Sequence, residues 1–224
     1  MVMRPRVSSE SSVADVVVVG AGGFGREALD VIEAAAGAGE GHRILGVVDQ
    51  GPRAEDLGRL QRRGVDYLGT PADWLDQAEG DVRFVVAIGD PATRERVTGQ
   101  FERAGFCPIS VVHPSAVIGS QSLMGEGVVV ASGVQVSTNV VIGDHVHLNP
   151  GSIIGHDTRL SAYVSVNPGA VISGNVLVER SSLVGAGAVV LQGLTVGSGA
   201  TIGAAACVTK DVASGATVVG VPAR

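Results

Sequence analysis

Aromatic side chains make up only 3% of the 224 residues, with one Trp, two Tyr and four Phe. Rings supply much of the volume of an ordinary core, so this interior has to be filled by aliphatic and small side chains. Cysteine is almost missing as well. Cys107 and Cys207 are the only two, which excludes a disulfide framework and a cysteine-based zinc site and suits a reducing compartment. Basic residues are outnumbered, 16 Lys and Arg against 22 Asp and Glu, giving a formal net charge of −6. That balance argues against nucleic acid or an anionic membrane surface as a partner, and a phosphate-bearing ligand must then be held by backbone amides and a few local cations. No apolar run reaches the length of a membrane span, and residues 1–13 (MVMRPRVSSESSV) contain no apolar segment of signal-peptide length. They read as a polar leader, and the chain as cytoplasmic. No set of His, Cys and Asp has tetrahedral ligand spacing, so no metal is expected.

Glycine, by contrast, is plentiful at 33 residues, about twice its usual share. Much of it falls in a strict repeat. From Val112 to Val208 every sixth residue is aliphatic: Val112, Ile118, Met124, Val130, Val136, Ile142, Leu148 and onward through Ile202 to Val208, 17 positions without an insertion. Two residues before each sits a second, usually smaller side chain, as in Ala116, Ser122, Val128 and finally Ala206. A period of six fits neither a helix nor a hairpin strand. It fits a flat-sided parallel β-solenoid with three hexads per coil, in which the two apolar positions fill the interior and Gly, Asn, Asp or Ser turns the corner. Eighteen residues then make one coil, and the 97 residues from 112 to 208 make about 5.4 coils in a prism roughly 26 Å tall. Val112, Val130, Leu148, Val166, Val184 and Ile202 are expected to stack as one interior ladder.

The first half has a different grammar. Asp15–Val19 is a β-branched run suited to a buried parallel strand. It enters Gly20-Ala21-Gly22-Gly23-Phe24-Gly25 and a helical pattern over Arg26–Ala36. Strand, G-x-G-x-x-G and helix in that order lets backbone approach a phosphate at the helix N-terminus. A second strand, Ile44–Val48, ends in Asp49, near the place where a Rossmann fold holds a ribose hydroxyl. Further strands are expected at Val65–Leu68 and at Val82–Ile88, the latter running into Gly89-Asp90. Helices are expected at Pro71–Gln77 and Pro91–Ala104, the second starting on Pro and stopping at Gly105. The reading is an α/β Rossmann-like domain over 14–110, then the solenoid over 111–224. Gly22, Gly23, Phe24, Asp49 and Gly89 are the candidate nucleotide contacts. Only one mononucleotide half is visible, so a mononucleotide, a dinucleotide and a ligand-free tight turn all stand as readings of the loop.

Chemistry is expected where outward corner residues break the repeat. Gly155-His156-Asp157-Thr158-Arg159 places an adjacent His and acid at a corner, both in outward phase. A carboxylate beside an imidazole holds one tautomer and stabilises the imidazolium, which is the arrangement of a general base. His147 and Ser165, 18 apart, stack on one outer face, where His147 is expected to be exposed; His145, at a neighbouring corner, is expected on the surface. His113 is expected to fix the junction between the halves, and Lys210-Asp211 to end the solenoid. Neither Cys107 nor Cys207 has a base nearby in sequence, so neither is expected to act as a nucleophile.

The hexads resemble the left-handed parallel β-helix of bacterial acyltransferases. The whole order, GAGGFG, then VAIGD with a downstream Arg, then HPSA, then hexads bearing GHD, then a terminal GVPAR, resembles the sugar O-acyltransferase, sialic acid O-acetyltransferase-like family, which includes the nucleotide-sugar amino-group N-acetyltransferases. That resemblance implies His156 as base and Asp157 as its orienting acid. It implies acetyl-CoA as co-substrate, a homotrimer with acetyl-CoA between neighbouring solenoids, and contacts to it from Gly174, Gly185, Ala186, Gly203 and Ala204. Some members carry a second His near the thioester, where this chain has Ser165, a residue able to donate a hydrogen bond but not to carry imidazolium charge. The implied activity is acetyl-CoA-dependent N-acetylation of a nucleotide-linked amino sugar, such as a 4-amino-4,6-dideoxy sugar. Two other readings stand beside it, an O-acetyltransferase of sialic acid or another small hydroxylated acceptor, and a non-catalytic solenoid or nucleotide-binding module.

Overall fold

The computed structural model describes residues 14–39 and 41–224. The leader expected over 1–13 lies outside the described residues. In the first half, β1 (Ala14–Val19), β2 (His42–Val48), β3 (Val82–Val86) and β4 (Cys107–Pro108) form one parallel sheet in the order β2-β1-β3-β4. The β-branched run Val16–Val19 is wholly buried, as a strand covered on both faces requires. Helices α1 (Gly23–Gly37), α2 (Ala54–Arg63), α3 (Pro71–Leu75) and α4 (Pro91–Arg103) surround it. Helix α4 starts where its cap dictates: the Asp90 carboxylate accepts from the Thr93 amide, and Pro91 takes a first-turn position. Helix α2 was not legible in the sequence, because Leu57 and Leu60 are its only large apolar side chains. The strand expected over 65–68 is reduced to a single bridge between Val47 and Tyr67, framed by Val47 N–H to Asp66 O and Leu68 N–H to Val47 O. Four of the seven aromatic rings gather on one side of this sheet, where Trp74, Phe84, Phe101 and Phe106 pack together.

The second half is a left-handed β-helix of two-residue strands in three parallel sheets. Face I carries Val111–Val112, Val129–Val130, His147–Leu148, Ser165–Val166, Leu183–Val184, Thr201–Ile202 and Thr217–Val218; face II carries Val117–Ile118, Gln135–Val136, Ile153–Ile154, Val171–Ile172, Val189–Val190 and Cys207–Val208; face III carries Leu123–Met124, Val141–Ile142, Arg159–Leu160, Leu177–Val178 and Thr195–Val196. Residues 18 apart pair throughout, so Val112, Val130, Leu148, Val166, Val184 and Ile202 form the expected ladder. The interior positions are nearly sealed along the middle of the prism and opened toward its ends, where Ile118 in the first coil is 38% exposed and Leu194 and Val218 at the far end are only partly buried. After Val208 the spacing shortens from 18 to 16, as in Thr201 with Thr217 and Val196 with Val212. Asp211 marks this change by accepting the Thr195 amide at 2.8 Å. One corner residue per hexad, every sixth from 121 to 205, takes a left-handed backbone, and eight of these positions are not glycine: Gln121, Asn139, His145, Asp157, Tyr163, Asn175, Ser181 and Ala205.

Face I is where the two halves meet. Its outward side chains Val111, Val129, His147 and Ser165 are all buried, and buried apolar residues of the sheet, α1 and the prism form one continuous cluster. Because Leu148 sits between Val130 and Val166 in a narrow prism that cannot collapse around a void, Leu148→Ala is expected to cost about 2–5 kcal/mol. Denaturant unfolding measures this; a loss under about 1 kcal/mol would contradict the tight interior.

Candidate active site

The corner 155–158 joins face II to face III, and it holds the His-acid pair out to solvent. The imidazole Nδ1 lies 2.7 Å from Asp157 Oδ2. A carboxylate only accepts, so Nδ1 carries the proton and Nε2 presents its lone pair. The two side chains are 63% and 52% exposed, too open for the pair to matter much to stability. Asp157 stands in the left-handed region with φ 61°, where Asp is tolerated better than most residues because its short side chain bonds locally.

What surrounds Nε2 follows from counting in eighteens. Gly174 stands one coil beyond His156, and a Cβ there would lie 2.5 Å from Nε2, so only glycine lets the ring take this position. The Asn175 amide donates to the His156 carbonyl, locking the two coils at that corner. A cavity of about 290 Å³ is lined by His156, Gly174, Asn175, Gln192 and Gly193. The Gly174 amide has no acceptor among the described residues. Asn175 and Gln192 were not foreseen, although adding 18 and 36 to positions 157 and 156 finds them.

A second cleft opens at the carboxyl ends of β1 and β3, the switch point of the sheet. It measures about 230 Å³ and is lined by Val19, Gly20, Asp49, Gln50, Pro71, Ile88, Thr93, Arg96 and Val97. Gly20 and Gly25 are glycines for packing, since a Cβ would lie 2.6 Å from Ala87 O and 1.9 Å from Gly20 O respectively. Gly22 and Gly89 are different: a Cβ at either meets nothing within 4 Å, and one at Gly23 meets only the tip of Arg26. The fold does not need glycine at these three places, while close approach of a ligand does. Helix α1 begins at Gly23 with no side-chain cap and no acid in its first turn, which leaves its first amides available to an anion. Asp49 braces the loop, accepting from Ala21 N–H at 2.8 Å and Gly51 N–H at 2.9 Å. Arg26 ties the same loop from the other side, donating to Ala21 O and to the buried carboxylate of Asp56.

Among the described residues no group of three His, Cys, Asp or Glu is placed to hold a metal, and no helix is long and apolar enough to cross a membrane. Residues 15–101 match the family model of the PglD N-terminal domain. The chain is 34% identical over 148 residues to the GDP-perosamine N-acetyltransferase of Escherichia coli O157:H7, covering 65% of this chain and 64% of that one. It is 30% identical over 121 residues to the UDP-N-acetylbacillosamine N-acetyltransferase of Bacillus subtilis (strain 168), covering 52% and 50%. The chain thus spans between half and two thirds of the curated relatives it matches. The crystal structure of PerB from Caulobacter crescentus in complex with CoA and GDP-perosamine superposes with a TM-score of 0.83 at 30% identity, over 95% of this chain and 97% of that one. The chain belongs to the nucleotide-sugar amino-group N-acetyltransferase family.

As a member of that family the chain has several residues placed otherwise than the repeat suggested. Ser165 was expected beside acetyl-CoA, but it is buried on face I, accepting from Arg94 Nη2 at 2.9 Å and donating to Gly89 O at 3.2 Å. His147, expected on an open face, is sealed under the first domain. Its Nε2 donates to Val86 O and its Nδ1 accepts from Arg94; burial first, and then the Arg94 charge, holds it well below the usual histidine range and hence neutral. His145, expected on the surface, is buried, stacked on Tyr163 with Nε2 3.5 Å from Glu102. Hexad phase says which residues point outward but not which outer face another domain covers. Phe24 packs against His147 with ring centroids 4.5 Å apart and the planes tilted by 39°, so its ring belongs to the domain junction and does not line the cleft at Gly20. Gly185, Ala186, Gly203 and Ala204 lie on the edge between faces I and II, whereas His156 and Gly174 lie on the edge between II and III; within one chain these groups are not brought together. His113 folds back onto its own turn, with Nδ1 accepting from the Ser115 amide.

Asp157→Gly is expected to keep or slightly raise the melting temperature, by relief of about 1 kcal/mol of left-handed strain, while releasing the imidazole tautomer; a clear fall in melting temperature would mean that the carboxylate is structural. Hydrogen bonds from Arg53 and then Arg26 hold Asp56 down to about 2. Its folded value lies below the unfolded one, so the stabilisation is complete above the ordinary carboxylate range and is lost as pH falls toward about 2. Thermal melts should show the deficit of Asp56→Asn constant near neutral pH and shrinking below about pH 4.

Proposed function

We propose that this chain transfers the acetyl group of acetyl-CoA to the amine of a nucleotide-linked amino sugar, of which a 4-amino-4,6-dideoxy sugar is the best match. The observation that carries the reading is the exposed His156-Asp157 hydrogen bond with Nε2 turned toward the open ground of Gly174. A scaffold has no use for that pair. The cleft lined by Gly20 and Asp49, with its unexplained glycines at Gly22, Gly23 and Gly89, favours a nucleotide-linked sugar over a free one. Relatives of this chain are named for GDP-perosamine and UDP-N-acetylbacillosamine, and PerB holds CoA together with GDP-perosamine.

Transfer is direct. The amine nitrogen adds to the thioester carbonyl, His156 Nε2 takes the proton that nitrogen sheds, and the C–S bond breaks to release CoA as thiolate, which is then protonated. The Gly174 amide is the donor for the oxyanion that forms in between. Asp157 keeps the base in its tautomer and offsets the imidazolium charge. No acyl-enzyme is formed. Cys107 and Cys207 are free thiols, and neither lines the His156 cavity.

The nucleotide domain covers face I, and the edge between faces II and III is the one prism edge that does not border face I. Base and cleft of one chain therefore face different directions, which supports a homotrimer in which the base of one subunit serves the cleft of the next. The outer side of face II suits such an interface: Val117, Ile153, Val171 and Val189 line it, with Val117 54% and Ile153 42% exposed. In that trimer acetyl-CoA runs between solenoids, past Gly174 of one subunit and Gly185, Ala186, Gly203 and Ala204 of its neighbour. The reading implies a cytoplasmic enzyme, in keeping with two cysteines that are both free thiols.

His156→Ala should lower kcat on the order of 10²-fold or more with the fold intact, read by thiol release across UDP-, dTDP- and GDP-linked 4-amino sugars, with sialic acid as the competing acceptor class. Undiminished turnover removes the base assignment. A thermal-shift series with UDP, dTDP, GDP and CMP should find at least one stabilising nucleotide, and sedimentation should give three times the 22.6 kDa chain mass; a monomer at assay concentration contradicts the shared site.

A further inference from the structure

Arg94 is the largest fully buried side chain, 0% exposed, and no carboxylate pairs with it among the described residues. Its partners come from three segments. Nη1 donates to Ile88 O at 2.8 Å, Gly89 O at 3.2 Å and His147 Nδ1 at 3.0 Å. Nη2 donates to Tyr163 O at 2.6 Å and Ser165 Oγ at 2.9 Å. Burial pulls its pKa down to about 10, so it remains charged at neutral pH. A buried charge that no carboxylate touches, with Asp90 acting on it only through space, is an expensive way to join two domains, which apolar packing does more cheaply.

Position explains the expense. The carbonyls of Ile88 and Gly89 belong to the loop after β3, and Ile88 lines the nucleotide cleft together with Thr93, Arg96 and Val97 from the same helix as Arg94. On the solenoid side, His147 and Ser165 are the paired face I positions that begin and complete one 18-residue coil. That coil carries His156. Arg94 therefore grips the cleft at one end and both ends of the catalytic coil at the other, and in a trimer whose axis runs along the prism the neighbour's His156 stands at the same height.

We propose that Arg94 is a positioning residue: its planar fork sets the height and angle of the nucleotide cleft on the coil that bears His156, and so sets where the amino group of the bound sugar meets the neighbouring base. The inference rests on the functional reading above. A guanidinium suits the task because its donors are fixed in one plane, whereas an ammonium is a point charge with three rotatable donors for five acceptors. Misplacement of an attacking group by about 1 Å costs on the order of 10²-fold in rate.

Arg94→Lys keeps the charge and loses the fork. In the intact trimer, kcat with a nucleotide-linked amino sugar should fall at least about 30-fold, while the Kd of the nucleotide diphosphate that stabilises the wild type and the KM for acetyl-CoA stay within about threefold. Ser165→Ala, which removes one strut from the same network and is the safer variant for folding, should give a smaller loss of the same kind. His147→Gln, which keeps a donor and an acceptor, should lie nearest to wild type. Retained kcat in both Arg94→Lys and Ser165→Ala overturns the proposal. So does a loss of kcat that travels with weakened nucleotide binding or a dissociated trimer, because that is what a purely structural role produces. Absence of turnover by the wild-type chain with every nucleotide-linked amino sugar would instead overturn the functional reading, and this inference with it.

Discussion

Parallel backbone hydrogen bonds that pair residues 18 apart hold each coil of the solenoid to the next, and everything else in the second half is hung on that ladder. Val129 N–H to Val146 O, His147 N–H to Val164 O and Ser165 N–H to Ser182 O are three rungs of it. Because no residue is inserted between Val112 and Val208, side chains 18 apart stand directly over one another. Interior positions then have to be aliphatic or small, as a prism this narrow admits no ring. Corner positions are set just as firmly, since one residue per hexad must adopt a left-handed backbone, and eight of these are not glycine. Side chains at such places carry a conformational cost that has to be offset by what they contact. Tyr163 meets His145 and the Arg180 guanidinium, which joins it to the domain junction. The Asp157 carboxylate meets only the imidazole of His156, which joins it to the proposed chemistry.

The first domain answers a different demand. It has to present a cleft at the carboxyl ends of its parallel strands and also stand still on the prism. The second requirement accounts for the side chains that the repeat leaves unexplained. His147, Ser165, Arg94 and Phe24 converge on one small region of face I, with Glu95 to Arg180 and Ser181 as an outer ion pair and hydrogen bond. A neutral histidine sits at its centre because Arg94 and burial both oppose a second charge. The proposed function is thus divided among three places, the outer corner at His156, the cleft behind Gly22, and the junction that relates one to the other.

Most of the fold was readable in the amino-acid order. The hexads predicted three faces and the interior ladder from Val112 to Ile202, since a period that matches no other regular structure leaves few alternatives. Asp15–Val19 and the span from Pro91 to the stop at Gly105 likewise announced β1 and α4. Helix α2 was missed because Leu57 and Leu60 are too few to make a periodic stripe, and a strand over Val65–Leu68 was expected where the chain makes only one bridge. For the site, outward phase was enough to single out His156 and Asp157. The same reasoning misled at His145, His147 and Ser165, whose phase is outward but whose face is covered.

The difference between those outcomes has one physical source. Within the solenoid, position along the chain converts directly into position in space, because each strand residue pairs with the one 18 places away. Fold, interior and the direction of the His156-Asp157 pair are consequences of that local arithmetic, and the amino-acid order alone was enough for them. The burial of Arg94, the neutrality of His147 and the loss of Ser165 to the domain junction come from contacts across 53 to 76 residues. Such contacts depend on where a second, separately folded body comes to rest, and no period in the chain encodes that.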